Sequence, residues 1–251
     1  MLSVAIITYN EEENIREALE SVKWADEIVV VDSFSTDKTQ EICREYTDKV
    51  YPVEWAGFSA QKNTAISLTT QSWILVLDAD ERVSEDLKSE IVRAMTGTAP
   101  ADGYYIARKN FFANKWIRHG GWWPDYTLRL FKREKGTFEE REVHEAIKVS
   151  GKTGRLENPI IHYTYSGMDD FMKRMEKYSG LAAKELYKQK RKSSLFDLIF
   201  RPPATFIKMY LIRLGMLDGL YGIILACLYS VYTFKKYSKF RQLIKKDEGK
   251  I

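Results

Sequence analysis

Trp73-Ile74-Leu75-Val76-Leu77-Asp78-Ala79-Asp80 is the most informative stretch of the sequence. Its apolar residues do not alternate with polar ones, which is typical of a strand buried on both faces of a parallel sheet. Ligands bind at the carboxyl ends of such strands, and Mg²⁺ and Mn²⁺ prefer carboxylate oxygens. The stretch therefore predicts an α/β sheet with a cation site at its rim, whereas the same Asp-x-Asp spacing in a loop would be a solvated turn.

Three more strand-like runs precede this one, at Ser3–Thr8, Glu27–Val31 and Lys49–Val53. Helical patterns separate these runs, and Asn10 is placed to cap the first helix. The apolar stripe of that helix consists of Ile15, Ala18, Leu19 and Val22. Strands that alternate with helices in this way predict a doubly wound, mostly parallel sheet flanked by helices.

The second half of the sequence predicts further strands and then helices. The strands are expected at Gly103–Ala107, Thr127–Phe131, Ala146–Val149 and Ile160–Tyr163, and a turn at Ser150–Gly154 suggests a hairpin. Helical periodicity follows over Asp169–Lys190 and ends in a basic cluster, where we place a domain boundary. We therefore predict a catalytic domain of residues 1–192 and a helical tail of residues 193–251.

The ends of the first two strands carry candidate nucleoside ligands. Asp32 follows Glu27–Val31 and either accepts a hydrogen bond from a base or ribose, or belongs to a helix-capping network with Thr36. Thr8 and Glu11 follow the first strand and are placed to contact a nucleoside. No glycine occurs before Gly57, so no Gly-x-Gly-x-x-Gly loop follows the first strand, and the chain has no Walker A sequence. These absences argue against dinucleotide dehydrogenases and P-loop enzymes.

The net charge of +4 conceals an uneven distribution. From Leu186 to Ile251 there are 14 Lys/Arg and 4 Asp/Glu, which leaves 25 and 31 in residues 1–185. Gly219–Phe234 is an uncharged run of 16 residues with basic residues on both sides. As a helix it would be ~24 Å long, shorter than the ~30 Å hydrocarbon core of a bilayer. We therefore expect the tail to lie in the plane of an anionic membrane surface, with burial in the domain or in a homo-oligomer as the alternative.

The cellular location follows from two weaker signals. Cys43 and Cys227 are the only cysteines and stand far apart, which favours a reducing compartment. No basic segment precedes a short apolar stretch at the N-terminus, so no signal peptide is expected. We expect the protein at the cytoplasmic face of the inner membrane, attached peripherally or monotopically.

Several motifs together resemble the family 2 glycosyltransferases of the GT-A fold. They are Ile6-Ile7-Thr8-Tyr9-Asn10-Glu11, Val30-Val31-Asp32-Ser33-x-Ser35-Thr36-Asp37-x-Thr39 and Leu77-Asp78-Ala79-Asp80-Glu81. Further pieces resemble the bacterial lipopolysaccharide core β-1,4-glucosyltransferase subgroup. These are Gly57-Phe58-x-x-Gln61-Lys62-Asn63, Leu128-Arg129-Leu130-Phe131, Val143-His144-Glu145, His162-Tyr163 and Met209-Tyr-Leu-Ile-Arg213-Leu-Gly215-x-x-Asp218-Gly219. The resemblance thus covers nearly the whole chain.

The resemblance implies a UDP-sugar donor and a role for each matching residue. Thr8, Glu11 and Asp32, with the adjoining Tyr9 and Asn10, would hold the nucleoside. Lys62, near a helix N-terminus, would reach the base or diphosphate, unless it is only a surface lysine. Asp78 would face the ribose or the metal, with Ala79 next to it. Asp80 would bind Mg²⁺ or Mn²⁺, with His162 or His144 as a further ligand or as an ordinary structural histidine.

An inverting transfer also needs a general base for the acceptor hydroxyl. Glu145 is the first candidate, with a surface salt bridge as its alternative role, and Asp125 is the second. The chain lacks the Glu-Asp pair that usually supplies the base in this family. Trp122 and Trp123 form an aromatic loop with His119, suited either to sugar recognition or to packing beneath the loop.

The predicted function is transfer of a sugar, with glucose as the first candidate, to a lipid-linked glycan such as the lipopolysaccharide inner core. Another lipid-linked or protein acceptor is the nearest alternative. A sugar nucleotidyltransferase would need a glycine-rich loop after the first strand. A non-catalytic membrane tether would not need the carboxylates. Apolar residues interleaved with the basic ones argue against nucleic acid as a partner of the tail.

Overall fold

The computed structural model of the chain describes residues 1–97, 101–138, 147–191 and 194–247. The strands are β1 (Leu2–Thr8), β2 (Glu27–Asp32), β3 (Val50–Pro52), β4 (Trp73–Asp78), β5 (Glu81–Arg82), β6 (Gly103–Phe112), β7 (Lys115–Trp116), β8 (Asp125–Lys132), β9 (Gly136–Phe138), β10 (Ile147–Val149), β11 (Thr153–Arg155) and β12 (Ile160–Tyr165). The helices are α1 (Ile15–Val22), α2 (Thr39–Arg44), α3 (Phe58–Ser67), α4 (Glu85–Thr96), α5 (Met168–Lys188), α6 (Leu195–Ile207) and α7 (Leu220–Asp247). A π-helical turn (Lys208–Ile212) and a 3₁₀ turn (Gly215–Asp218) lie between α6 and α7.

The main sheet has the order β3-β2-β1-β4-β8-β6-β12-β5. The pairs among β3, β2, β1 and β4 are parallel, as predicted, and each of these strands begins and ends within one residue of its predicted bounds. β8 is antiparallel to both β4 and β6, so the sheet as a whole is mixed. The predicted hairpin around Ser150–Gly154 is wrong, because β10 pairs with β9 and β11 pairs in parallel with β6.

Helices cover both faces of the parallel part of the sheet. Val4 and Ile6 of β1 pack in one cluster with α1 and α4, through side chains such as Leu19 and Leu87. Ala5 points to the other face and packs in a second cluster with Ile66 of α3 and neighbouring residues. Burial on both faces explains why these strands are continuous apolar runs.

The first helix begins later than predicted. Ile15 is its first residue and Asn14 precedes it as the N-cap. Asn10 lies in the preceding turn with a φ of 52°, so its predicted capping role is wrong. Asparagine tolerates this left-handed conformation better than most residues.

The chain forms two compact units: residues 1–109 with 125–163, and residues 110–124 with 164–251. The long helix α5, which the sequence placed in the catalytic domain, belongs to the second unit. That unit has its own core, built from Phe112, Ile117, Trp122, Phe171, Met175, Met209, Leu225, Ala226 and Leu228. None of the helices within the described ranges is both long and apolar enough to cross a bilayer. The docking role predicted for residues 193–251 stays a prediction.

Candidate active site

The parallel pairing of β1 gathers the predicted donor residues at one edge of the sheet. Thr8 pairs with Asp32 at the end of β2, and Ile7 pairs with Asp78 at the end of β4. Asp80 follows Asp78 after one residue and is 9% exposed. Two neighbouring strand pairs therefore place Thr8, Asp32 and Asp78 along the same rim, where open α/β sheets bind their ligands.

His162 lies beside Asp80 because of an antiparallel strand pair. β12 pairs with β5, with His162 opposite Glu81, and the Tyr163 amide donates to the Asp80 carbonyl at 3.0 Å. The His162 Nε2 atom is 3.4 Å from Asp80 Oδ2, and both side chains are about nine-tenths buried. The structure thus brings together two of the residues that the sequence nominated as metal ligands.

The Asp80–His162 pair is chemically suited to a divalent cation. A carboxylate and an imidazole are ordinary ligands of Mn²⁺, and Mg²⁺ is usually bound by one or two carboxylates together with substrate phosphates and water. The described residues contain no group of three or more His, Cys, Asp or Glu side chains arranged to hold a metal. An ion held by this pair would therefore need further ligands. His144, the alternative ligand, lies outside the described residues.

Asp78 is held between two cations. Its Oδ1 atom is 2.9 Å from Lys62 Nζ, and its Oδ2 atom is 2.7 Å from Arg129 Nη2. Burial alone would raise the pKa of Asp78, but the charges of Arg129 and Lys62 outweigh it and hold that pKa well below its usual value. Asp78 is therefore a carboxylate with both oxygens engaged by cations, and Asp80 is the better placed of the two for a metal.

Lys62 lies in α3, four residues after the first residue of that helix. Gly57 precedes the helix with a φ of 106°, a conformation that favours glycine. Lys62 is only 7% exposed, so its alternative role as a surface lysine is wrong. Lys62 is thus a buried cation near the N-terminal end of α3, paired with Asp78 at the rim of the sheet.

Arg129 and Glu81 complete the network, and neither was assigned a role from the sequence. Arg129 Nη2 also lies 2.6 Å from Glu81 Oε1, and Glu81 Oε2 accepts a bond from the Asp78 amide at 3.0 Å. Burial raises the pKa of Glu81 although Arg129 opposes this shift. The sequence did contain a signal for this network, because a charged residue interrupts the apolar run Leu128–Phe131. An arginine buried in a central strand requires a carboxylate partner.

Asp32 is fully buried and belongs to a loop-capping network, although not with Thr36. Its oxygens accept bonds from the Ser35 amide and hydroxyl and from the Gln40 side chain. The Thr36 amide instead donates to Asn10 Oδ1 at 2.8 Å. The network fixes the position of Asp32, and its predicted bond to the base stays a prediction.

The loops after β1 and β2 are joined by five bonds from backbone amides to side chains. Three amides of the first loop donate to the second, at distances of 2.8 to 3.2 Å, and two amides of the second donate to the first. The donors and acceptors are Asn10 to Ser35, Glu11 to Thr39, Glu12 to Asp37, Thr36 to Asn10 and Lys38 to Glu12. Glu11 Oε2 also accepts from Asn14.

The Thr8 hydroxyl is buried and has no hydrogen-bond partner. The side-chain carbonyl oxygen of Gln61 is also buried without a hydrogen-bond partner. The side-chain nitrogen of Gln61 donates to the Glu54 carbonyl and to two further acceptors. Buried polar atoms without partners are uncommon in native proteins and often mark ligand positions. Tyr9 is 55% exposed and Ala79 is buried, so of these two only Tyr9 presents a side chain to solvent.

Of the two candidate bases, Asp125 lies within the described residues and Glu145 does not. Asp125 is the first residue of β8 and forms an ion pair with Arg108, whose Nε and Nη2 atoms lie 2.9 and 2.5 Å from its Oδ2 atom. One third of its side chain is exposed. Both assignments stay predictions.

The aromatic loop of the second unit is partly structural. Trp122 is 8% exposed and packs in the core of that unit against Phe112 and Tyr229, as its alternative role predicted. His119 Nδ1 lies 3.2 Å from Asp218, whose carboxylate also accepts bonds from the Arg118 and His119 amides.

Comparison with known proteins finds sequence matches that cover most of the chain. The sequence model of glycosyl transferase family 2 matches residues 3–154. The lipopolysaccharide core biosynthesis glycosyltransferase LpsC of Rhizobium meliloti (strain 1021) is 31% identical, over 96% of this chain and 92% of that protein. An uncharacterized glycosyltransferase of Rickettsia typhi is 29% identical, over 100% of this chain and 90% of that protein.

Among solved structures, the mannosyltransferase PcManGT from Pyrobaculum calidifontis, in complex with GDP-Man and Mn²⁺, has a similar fold. Its TM-score is 0.56 at 17% identity, over 95% of this chain and 86% of that one. The fold is that of the GT-A glycosyltransferases. More narrowly, the chain belongs to glycosyl transferase family 2.

Proposed function

We propose that this glycosyltransferase moves a sugar from a UDP-sugar onto a lipid-linked glycan, with inversion and with Mg²⁺ or Mn²⁺ as cofactor. The observation that carries the proposal is the placement of Asp80 and His162 next to the Lys62–Asp78–Arg129 network. The name of the relative LpsC supports the lipopolysaccharide core as the acceptor. Glucose is the first candidate for the sugar because of the sequence resemblance described above.

In this proposal the rim holds the donor in two parts. Thr8, Glu11 and Asp32 hold the nucleoside, with the unpartnered Thr8 hydroxyl available to the ligand. The Lys62 ammonium, which pairs with Asp78 Oδ1, would transfer this bond to an oxygen of the arriving diphosphate. Asp78 then keeps the Arg129 bond, which fixes its remaining oxygen toward the ribose.

Asp80 and His162 would hold the divalent ion, which when bound supplies Lewis-acid stabilisation of the departing diphosphate. The acceptor hydroxyl attacks the anomeric carbon from the face opposite the diphosphate, which inverts the configuration. A carboxylate takes the hydroxyl proton: Glu145 is the first candidate and Asp125 the second. Asp125 would need its Arg108 ion pair to loosen before its Oδ2 atom could accept that proton.

We further propose that the enzyme works at the cytoplasmic face of the inner membrane, where a lipid-linked acceptor is presented. The basic residues of the C-terminal region support an anionic membrane as the partner. A lipid-bound acceptor diffuses in two dimensions, so an enzyme held at the same surface meets it more often than one in solution.

A donor screen by calorimetry tests the catalytic proposal. Purified protein is titrated with UDP-, GDP- and CMP-sugars, with and without Mn²⁺, and we expect measurable binding of a UDP-sugar that strengthens with the ion. Asp80→Asn should lose the ion-dependent part, whereas Asp26→Asn, at the opposite end of the sheet, should not. Binding of none of the three donor classes would refute the proposal, and the anomeric coupling in the product's NMR spectrum would test inversion.

A further inference from the structure

Exposed apolar side chains are concentrated in one segment of the second unit. Between residues 195 and 220, eleven large hydrophobic side chains are between 45% and 72% exposed. They are Leu195, Phe196, Ile199, Phe200, Ile207, Leu211, Ile212, Leu214, Met216, Leu217 and Leu220. An exposed apolar patch of this extent marks an interaction surface in a soluble protein.

The segment presents one continuous apolar face. On α6 the exposed residues Phe196, Ile199, Phe200 and Ile207 follow helical spacing, and the Phe196 and Phe200 rings stack with centroids 4.3 Å apart. The opposite side of the helix carries the buried Pro202, whose carbonyl accepts a bond from Ser230 of α7. α6 therefore packs on α7 with one face and leaves an apolar face open.

The turns that follow α6 form a rigid apolar tip, defined here as residues 211–220. The Asp218 carboxylate accepts bonds from two backbone amides of the 118–119 segment. The Gly120 amide donates to the Arg213 carbonyl at 2.8 Å. A Cβ atom on Gly222 would lie 1.7 Å from the Gly215 carbonyl oxygen, so the backbones are in close contact. The exposed leucines of the tip are thus held in place by their backbone.

The cations next to the tip are arranged differently from two lysines in the middle of α7. Lys235 and Lys239 both pair with Glu176, which lowers the pKa of that carboxyl to about 2. Lys208, just before the tip, and Arg213, within it, are by contrast exposed, and neither has an acidic partner within the described part of the chain. An apolar face with unpaired cations next to it is complementary to an anionic lipid surface.

We propose that residues 195–220 are the membrane-docking surface, and that the tip enters the boundary between headgroups and acyl chains of an anionic bilayer. Lys208 and Arg213 then lie at the level of the lipid phosphates. The inference deepens the proposed function by naming the surface that would hold the enzyme near its acceptor. It also narrows the docking role from the predicted tail of residues 193–251 to residues 195–220.

Vesicle flotation with the full-length protein tests the apolar part of the proposal. Wild type should bind vesicles of phosphatidylglycerol and phosphatidylcholine more tightly than vesicles of phosphatidylcholine alone. Ile212→Glu places a charge at a side chain that is 72% exposed, and it should weaken binding at least tenfold. Val92→Glu, at an apolar residue of α4 that is 41% exposed, is the matched control and should bind as wild type does.

A second pair of variants tests the charges. Lys208→Gln with Arg213→Gln should weaken binding to the anionic vesicles by about 25-fold, or fivefold for each cation. Lys245→Gln with Lys246→Gln should have less than a threefold effect. Equal losses in the two pairs would contradict the assignment of docking to residues 195–220 and would leave it with the tail as a whole.

Donor binding and sedimentation separate the remaining outcomes. Calorimetry with UDP-sugar should give the same affinity for wild type and Ile212→Glu, which also shows that the variant is folded. A wild-type protein that binds vesicles but no nucleotide sugar would refute the proposed function alone. A wild-type protein that ignores vesicles and sediments as a dimer, while Ile212→Glu sediments as a monomer, would overturn the docking proposal and assign the surface to a second copy of the chain.

Discussion

The strand β1 carries one hydroxyl near each end, and the two hydroxyls are in opposite states. Ser3, at the amino end, is fully buried; it donates to the Glu27 carboxylate and accepts from the Gln71 amide at 3.1 Å. Thr8, at the carboxyl end, is 5% exposed and its hydroxyl has no partner. The same strand thus has a hydrogen-bond network completed by the protein at one end and an incomplete one at the other.

The buried carboxylates at the two ends of the strands differ in the same way. Glu27 accepts bonds from Ser3, Lys49 and both the amide and hydroxyl of Thr70, so it needs no ligand. Asp78 shares its oxygens with two cations, one of which is a lysine that a phosphate can attract. A buried charge alone is therefore a poor marker of an active site, because structural networks also bury charges. The unsatisfied atoms next to the charge are the better marker.

Asp80→Asn, at the carboxyl end of the parallel strands, should have the largest effect on activity. The substitution removes a carboxylate from the proposed metal site, and a loss of several kcal/mol of Lewis-acid stabilisation corresponds to about a 10³-fold lower rate. Transfer is measured with a radiolabelled donor, and thermal unfolding checks the fold. A variant that keeps more than a tenth of the wild-type rate would contradict the role of Asp80.

The Glu27 network at the amino end of the strands should instead affect how stability depends on pH. Burial opposes ionisation of Glu27, but Lys49, Ser3 and Thr70 together lower its pKa to about 2 from an ordinary value of 4.5. The ionised group therefore stabilises the fold above pH 4.5, and this contribution is lost as the pH falls from 4.5 toward 2. At neutral pH it amounts to about 3 kcal/mol.

Urea unfolding of wild type and Glu27→Gln at pH 7 and at the lowest pH where both fold measures this contribution. The difference in unfolding free energy between the two proteins should shrink by up to about 3 kcal/mol as the pH falls. A difference that does not change with pH would show that the network does not depend on the ionised carboxylate. UDP-sugar affinity at pH 7 should be the same for both proteins.

Lys62→Met tests whether the Lys62 ammonium, which pairs with Asp78, also binds the donor. Methionine fills similar space without the charge, so we expect donor affinity to fall about tenfold, the loss of one charge-assisted hydrogen bond. Lys49→Met, which removes the lysine of the amino-end network, is the matched control and should lower stability with little effect on donor affinity. Equal donor affinity in Lys62→Met and wild type would assign Lys62 to structure.

Thr8→Val and Ser3→Ala make the smallest and most direct comparison. Removing a hydroxyl without a partner should leave the unfolding free energy unchanged or slightly higher, whereas donor affinity should fall about fivefold, as for one neutral hydrogen bond. Removing the Ser3 hydroxyl should cost about 1 kcal/mol of stability and leave donor affinity unchanged. The reverse pattern would show that the unpartnered Thr8 hydroxyl has no ligand.

The sequence predicted the parts of this molecule that depend on local pattern. The strands β1 to β4 are evident as apolar runs, and Asp78 and Asp80 stand directly at the end of one of them. The network around Asp78 was not predictable, because Arg129 reaches it from 51 residues away through the register of β4 and β8. The β9–β10 pair was missed for the same reason, since the register of two paired strands depends on tertiary contacts that no local pattern encodes.

The five bonds between the loops after β1 and β2 have a consequence for how the rim opens. If the two loops separate as one unit, the same opening event exposes all five amides, and they should give one opening free energy once their intrinsic exchange rates are taken into account. A donor that touches either loop would then slow exchange in both. Mass-spectrometric deuterium labelling of the peptides that contain Glu11 and Lys38 would show whether the two loops behave as a single cooperative unit.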